Sequence, residues 1–203
     1  LTNITLGSGI TAIGGQAFEG CASLTSVTLG SGLTTIGYQA FDYCSSLSTI
    51  AVDSSNSVYS SVGGVLFDKS QVTLVQYPAA KSGSYTIPDG VTSIAARAFL
   101  GSTYLTIVTI PNSVTSIGSQ AFGGCTSLRS ITVGSRVTAI GDSAFGSCTS
   151  LTSVTIPDNV TSIGNNAFAD CSRLTSVAIG NGVTGIGNHA FGNCSRLTNV
   201  TIG

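Results

Sequence analysis

The residues best able to do chemistry in this 203-residue chain are six cysteines and a single histidine. His189 stands five positions before Cys194, in the stretch Asn188-His189-Ala190-Phe191-Gly192-Asn193-Cys194. A thiolate beside an imidazole makes a nucleophile with its base, and Cys and His together make zinc ligands. Either use requires the side chains to converge on a point. Whether they converge depends on the elements that carry them.

Those elements repeat. Leu24 to Ser46 and Leu151 to Arg173 align without a gap, and the same frame starts at Leu1, Leu105, Leu128, Leu174 and Leu197, a period of 23. A degenerate copy starts at Ser82, and one longer unit runs from 47 to 81. The chain therefore reads as eight units, with a partial ninth beginning at 197. Residue 1 is Leu and no signal peptide is recognisable, which reads as a mature form or an excised piece.

Within one unit, Val154 and Ile156 alternate with Ser153 and Thr155, the period of a strand rich in β-branched residues. Pro157-Asp158-Asn159 reads as a turn, and Val160 to Ile163 as a second short extended piece. Ala167, Phe168 and Cys171 then recur at helical spacing, which predicts a short helix or 3₁₀ turn. A unit this short cannot bury its own apolar edge, whereas stacked copies can. The expected fold is a repeat solenoid, with parallel strand ladders roughly 4.8 Å apart.

Stacking assigns the chemistry. Phe18, Phe41, Phe99, Phe122, Phe145, Phe168 and Phe191 share one slot and fill the axis. Cys21, Cys44, Cys125, Cys148, Cys171 and Cys194 share another, with Ser102 in the degenerate copy. Cysteines laddered beside Phe read as small buried hydrophobes. Their Cβ vectors run parallel rather than converging, which argues against disulfides, and no CxxC pair suggests zinc. His189 falls in a slot held elsewhere by Gln16, Gln39, Arg97, Gln120, Ser143 and Asn166, so it is expected in solvent and turned away from Cys194. No GxSxG, HExxH or phosphate loop is present. The reading contains no catalytic, cofactor-binding or metal-binding residue.

Charged residues make up 7% of the chain and the net charge is −1, so no basic field exists for nucleic acid or an anionic membrane. No apolar run approaches the roughly 18 residues of a membrane span. The five arginines read as solvated surface charges. One slot is Thr in seven units, from Thr11 to Thr184, and Thr also dominates an outward strand slot. Cross-strand pairing and β propensity account for it, and a flat Thr array that orders water is a second reading.

The pattern LxxVxIPxxVxxIGxxAFxxCxx resembles the BspA-type, or Treponema-type, leucine-rich repeat over nearly the whole chain. Asn56, Tyr59, Ser61, Gly64 to Lys69 and Tyr77-Pro78 are similar to a recurring long variant of that repeat. Ser82, Ala95 and Ser102 depart from the pattern. The resemblance implies a single curved leucine-rich-repeat solenoid over 1–203. It implies an extracellular or cell-surface location and adhesion to host or matrix proteins. It implies no enzymatic activity and no cofactor.

The long unit is where the repetition breaks. Val65 to Phe67 and Val72 to Val75 flank Asp68-Lys69-Ser70-Gln71, which predicts a β-hairpin in place of the AFxxC turn. All six tyrosines lie between 38 and 104. Tyr85 takes a core strand slot opposite the loss at Ser82. Tyr43, Tyr59, Tyr77, Leu100, Tyr104 and Ile107 are the candidate ligand contacts, because insertions often mark a binding face and aromatics anchor interfaces. A structural reading, that these residues cover the hairpin base and patch the defective rung, stands ahead of it. The partner expected is a protein. The alternative is self-association of solenoids, end to end or side by side, since neither end shows a polar cap.

Overall fold

The structure, a computed structural model, describes all 203 residues. Alternation of apolar and polar residues produces the first strand of each rung. In Ser153–Ile156, Val154 and Ile156 are buried while Ser153 and Thr155 face solvent. These strands pair in parallel one repeat apart, Asn3 on Ser26, Ser84 on Ile107 and Ser153 on Ser176. The second extended piece is only two residues long, yet Ser93, Ser116, Ala139, Ser162 and Gly185 follow one another in register through a single ladder.

The AFxxC segment contains no helix, contrary to the expectation from its spacing. The reason is two left-handed residues per turn. The Gln16, Gln39, Arg97, Gln120, Ser143, Asn166 and His189 slot has φ between 52° and 64°. The slot of Gly20, Tyr43, Gly101, Gly124, Ser147, Asp170 and Asn193 has φ between 57° and 70°. Positive φ stops a right-handed helix. Alternate N–H groups therefore leave the turn. Ala121 and Gly123 bond back three residues, whereas Gln120, Phe122 and Gly124 donate to the Asp142, Ala144 and Gly146 carbonyls of the next rung. Spacing of apolar residues fits a helix and such a stack of turns equally well.

Rungs approach closely. A Cβ on Gly164 would lie 2.6 Å from the Asp142 amide nitrogen, so the slot demands glycine. Ala95 occupies the equivalent place only where the long unit, lacking that turn, lies in front.

Side chains tie the rungs as well. Thr115, Thr138, Thr161 and Thr184 each donate their hydroxyl to the carbonyl of the Thr one rung earlier, at 3.1–3.2 Å. The Thr ladder is thus a rung-to-rung strap, and its hydroxyl protons are committed to the backbone rather than to ordered water. Asp142, Asn165 and Asn188 form a similar staircase. The Asp142 Oδ1 accepts from the Asn165 amide at 2.7 Å and the Asn165 Oδ1 from the Asn188 amide at 2.8 Å.

The long unit is a three-stranded antiparallel meander, one strand more than the expected hairpin. Tyr59–Val62 pairs with Val65–Asp68, which pairs with Thr73–Gln76. Gly63 and Gly64, both at positive φ, form the two-residue hairpin turn between the first two. The third strand joins the second-strand ladder through Ser93. The meander does not replace the Phe rung. Tyr77 does, with its ring 4.7 Å from Phe99, and its N–H donates to Ala98.

The core divides at this unit. Twelve buried residues from Ile4 to Leu66 form one cluster, and 36 from Val65 to Ala190 form the other. Along the middle strand of the meander, Leu66 faces the first cluster while Val65 and Phe67 face the second. The ring stack breaks at the same place. Phe18 and Phe41 pair at 5.6 Å, and a separate stack from Tyr77 to Phe191 has spacings of 4.5–5.3 Å.

Candidate binding surface

His189 is exposed, whereas Cys194 turns inward and its thiol donates to the Phe168 carbonyl oxygen at 3.1 Å. The two side chains do not form a dyad. All six cysteines are free thiols. Cys44, Cys125, Cys148 and Cys171 each donate likewise to the Phe carbonyl of the preceding turn, at 3.1–3.3 Å. The Cys slot is thus a hydrogen-bond donor as well as a hydrophobe, which apolar periodicity cannot reveal. Burial pushes the Cys125 and Cys171 thiols up to about 12 and that of Cys44 to about 11. Such thiols are inert nucleophiles at neutral pH. No three His, Cys, Asp or Glu side chains gather in a metal-binding arrangement.

The candidate contacts separate into different environments. Tyr77 is 1% exposed, a core ring rather than a contact, so its place in the set is corrected. Tyr59 is half-buried against the first core, and its hydroxyl oxygen accepts from the Ile36 amide at 3.2 Å. That bond replaces one the broken ladder cannot supply. Tyr85 packs against Tyr77 with centroids 4.9 Å apart. Tyr43 and Leu100 line one groove of about 390 Å³ on the turn face. Tyr104 and Ile107 are exposed at the first-strand face, beside a bulge at Thr106 in the pairing with Gly83 and Ser84.

Exposure concentrates at the break. Large apolar side chains are exposed in the first rung (Leu1, Ile10) and at the far end (Ile186, Val200, Ile202). Between those ends they are Tyr38, Tyr43, Val62, Val72, Tyr104 and Ile107, all between the second and fifth rungs. From 108 to 185 there is none.

Arg97 is the exception among the arginines. Its guanidinium pairs with Asp42 at 2.9 Å and lies 5.0 Å from the centre of the Tyr38 ring. The Asp42 side chain is 2% exposed. Burial raises its carboxyl above the ordinary range, and the Arg97 hydrogen bond and charge oppose that rise. The pair bridges the turns of the second and fourth rungs, which flank the long unit. Arg129, Arg136, Arg173 and Arg196 are exposed, as expected.

The model of the BspA type leucine rich repeat region matches residues 1–81 and 77–198, in six copies. The chain belongs to the BspA-type leucine-rich repeat family. Among solved structures, a leucine rich cell surface protein from Faecalibacterium prausnitzii is 33% identical, with a TM-score of 0.86, over 100% of this chain and 60% of that one. The pneumococcal vaccine antigen PcpA is 25% identical, with a TM-score of 0.85, over 100% of this chain and 56% of that one. A leucine rich repeat protein from T. pallidum is 27% identical, with a TM-score of 0.56, over 97% of this chain and 78% of that one. The chain thus spans less than two thirds of the first two relatives. No curated protein matches it. No helix of this BspA-type solenoid is long and apolar enough to cross a membrane.

Proposed function

We propose that this BspA-type solenoid is a non-enzymatic, cell-surface adhesion module that binds a protein ligand through the face around its long unit. The observation carrying the proposal is the confinement of interior exposed apolar side chains to residues 38–107. A weakly charged array of near-identical rungs offers a partner little to choose between. Here the sameness ends, and Tyr104 and Ile107 stand where the other regular rungs carry Ser, Asn or Arg. Aromatic and aliphatic anchors of this kind dominate contact energies. The surface location of the Faecalibacterium relative agrees with the setting.

The test is capture of the purified chain on a panel of extracellular-matrix proteins, with wild type beside a Tyr104→Ser/Ile107→Ser variant whose melting is unchanged. The proposal expects at least one captured partner and a tenfold or larger loss in the variant. Equal capture of both by every partner, or none of either, refutes it.

A further inference from the structure

In five rungs the turn closes onto the next through three backbone bonds. Gln16, Phe18 and Gly20 donate to Tyr38, Ala40 and Asp42 at 2.9–3.0 Å, and the rungs of Phe99, Phe122, Phe145 and Phe168 repeat the pattern. The rung of Phe41 does not. The N–H groups of Gln39, Phe41 and Tyr43 have no acceptor in the chain, from backbone or side chain. The third rung offers only Tyr77 on this face, and Tyr77 bonds onward to Ala98. On the fourth rung, the Ala96 and Leu100 carbonyls receive nothing, although their counterparts Ser119 and Gly123 accept from Arg97 and Gly101. Between these walls lies a recess of about 170 Å³, lined by Gln39, Phe41, Leu66, Val75, Ala96 and Arg97 among others.

We infer that this recess takes an extended segment of a partner polypeptide, which pairs with the Gln39, Phe41 and Tyr43 amides and seats one aliphatic side chain. Orphan backbone donors are costly away from water, so a ladder missing its partner is a template for one. The complementarity is of partial charge. One wall presents N–H hydrogens at alternate residues, and an extended chain presents carbonyl oxygens at the same alternation. A compact anion would need donors converging on a point, and it would face the Asp42 carboxylate beside Arg97. The volume suits one Val- or Leu-sized side chain among Leu66, Val75 and Ala96. The Arg97 side chain spans the recess to Asp42, and an entering segment displaces it at the cost of that pair. The inference rests on the protein-ligand reading but places the contact on the turn face, away from Tyr104 and Ile107.

Amide hydrogen exchange of the full chain is the first measurement. Gln39, Phe41 and Tyr43 should exchange at least tenfold faster than Gln120, Phe122 and Gly124, and equal protection overturns the idea. A displayed library of random extended heptapeptides is the probe. Enriched peptides should share an aliphatic residue and slow those three amides at least tenfold. Enrichment without that slowing, or no enrichment, overturns it. Ala96→Trp, which fills the recess from its exposed rim, should weaken the peptides at least tenfold with melting unchanged, whereas Tyr104→Ser/Ile107→Ser should leave them bound. Wild-type affinity in Ala96→Trp sinks the recess. Loss of matrix capture in the other variant alone bears on the adhesion face and not on this one.

Discussion

The Asp42 carboxylate and the Arg97 guanidinium meet at 2.9 Å although 55 positions separate them in sequence, more than two full repeats. Each comes from the turn of a different rung, and the rung between them has no such turn. The pair closes the gap in charge what the backbone leaves open in hydrogen bonds.

Arg97→Ala leaves the buried Asp42 carboxylate without its partner. Stability at neutral pH should fall by about 3 kcal/mol, the low end for breaking a buried pair, because the guanidinium is partly exposed. Without Arg97 the folded carboxyl is raised further above its unfolded value. A raised acid gives its stability below the unfolded pKa and loses it as pH rises. The deficit should therefore be large at pH 7 and shrink towards pH 3. Denaturant unfolding at several pH values checks both magnitude and direction, and a deficit that grows on acidification contradicts the assignment.

The thiols make a second pH statement. Burial raises the folded thiols of Cys125 and Cys171 to about 12, against an ordinary value of about 8.5. A raised folded pKa means stability present below the unfolded value and lost as pH climbs towards the folded one. Melting temperature should hold to about pH 8 and fall steadily between about 9 and 12. At pH 7.5 the buried thiols should resist an aqueous disulfide reagent until the chain unfolds, when all six react. Rapid native labelling of Cys125 or Cys171 contradicts their burial.

Phe145 and His189 separate packing from backbone. Phe145 is fully buried between Phe122 and Phe168, with centroids at 5.1 Å on both sides. Phe145→Ala should cost about 3–5 kcal/mol. His189 is exposed but sits at φ 52°, a conformation that disfavours any residue with a Cβ. His189 already carries a Cβ at that φ, so His189→Ala should stay within about 0.5 kcal/mol of wild type, whereas His189→Gly should be neutral to stabilising by up to about 1 kcal/mol. Calorimetry of the three variants decides it, and a loss above about 1 kcal/mol in both His189→Ala and His189→Gly would show that the imidazole itself is used.

Ser102 holds the Cys slot in the fourth rung, and its buried hydroxyl has no partner. Removing an unsatisfied buried polar group recovers its desolvation cost. Ser102→Ala should raise stability by about 1 kcal/mol, whereas Cys148→Ala, which strips a paired donor, should lower it. Side-by-side melts test the contrast.

Much of this architecture is legible in the sequence. A strict 23-residue period places Phe145 and Cys148 against their equivalents, so ladders, axis and the outward His189 follow from counting. The turn reads as helical because Ala167, Phe168 and Cys171 have helical spacing, and because Gln, Arg and Ser do not announce positive φ as Gly and Asn do. The first strand of the meander has its own signal in Gly63-Gly64 between Val62 and Val65, a two-residue hairpin pair. Tyr77 reads from sequence as a contact rather than a core ring because the long unit shifts it out of phase with Phe99. The Asp42 and Arg97 pairing was invisible for the same reason. Periodicity predicts neighbours one repeat apart, and this contact spans the one unit that breaks it.

The division of the core at Leu66 bears on how the array melts. In a solenoid each rung is stabilised mainly by its neighbours, so cooperativity is the product of junction couplings along the stack. The junction at the long unit keeps strand pairing on both sides, but it lacks the continuous ring stack and the three turn bonds that the regular junctions have. Heating should uncouple the chain there first, so that residues 1–46 and the rungs beyond the meander unfold as two blocks with separate midpoints.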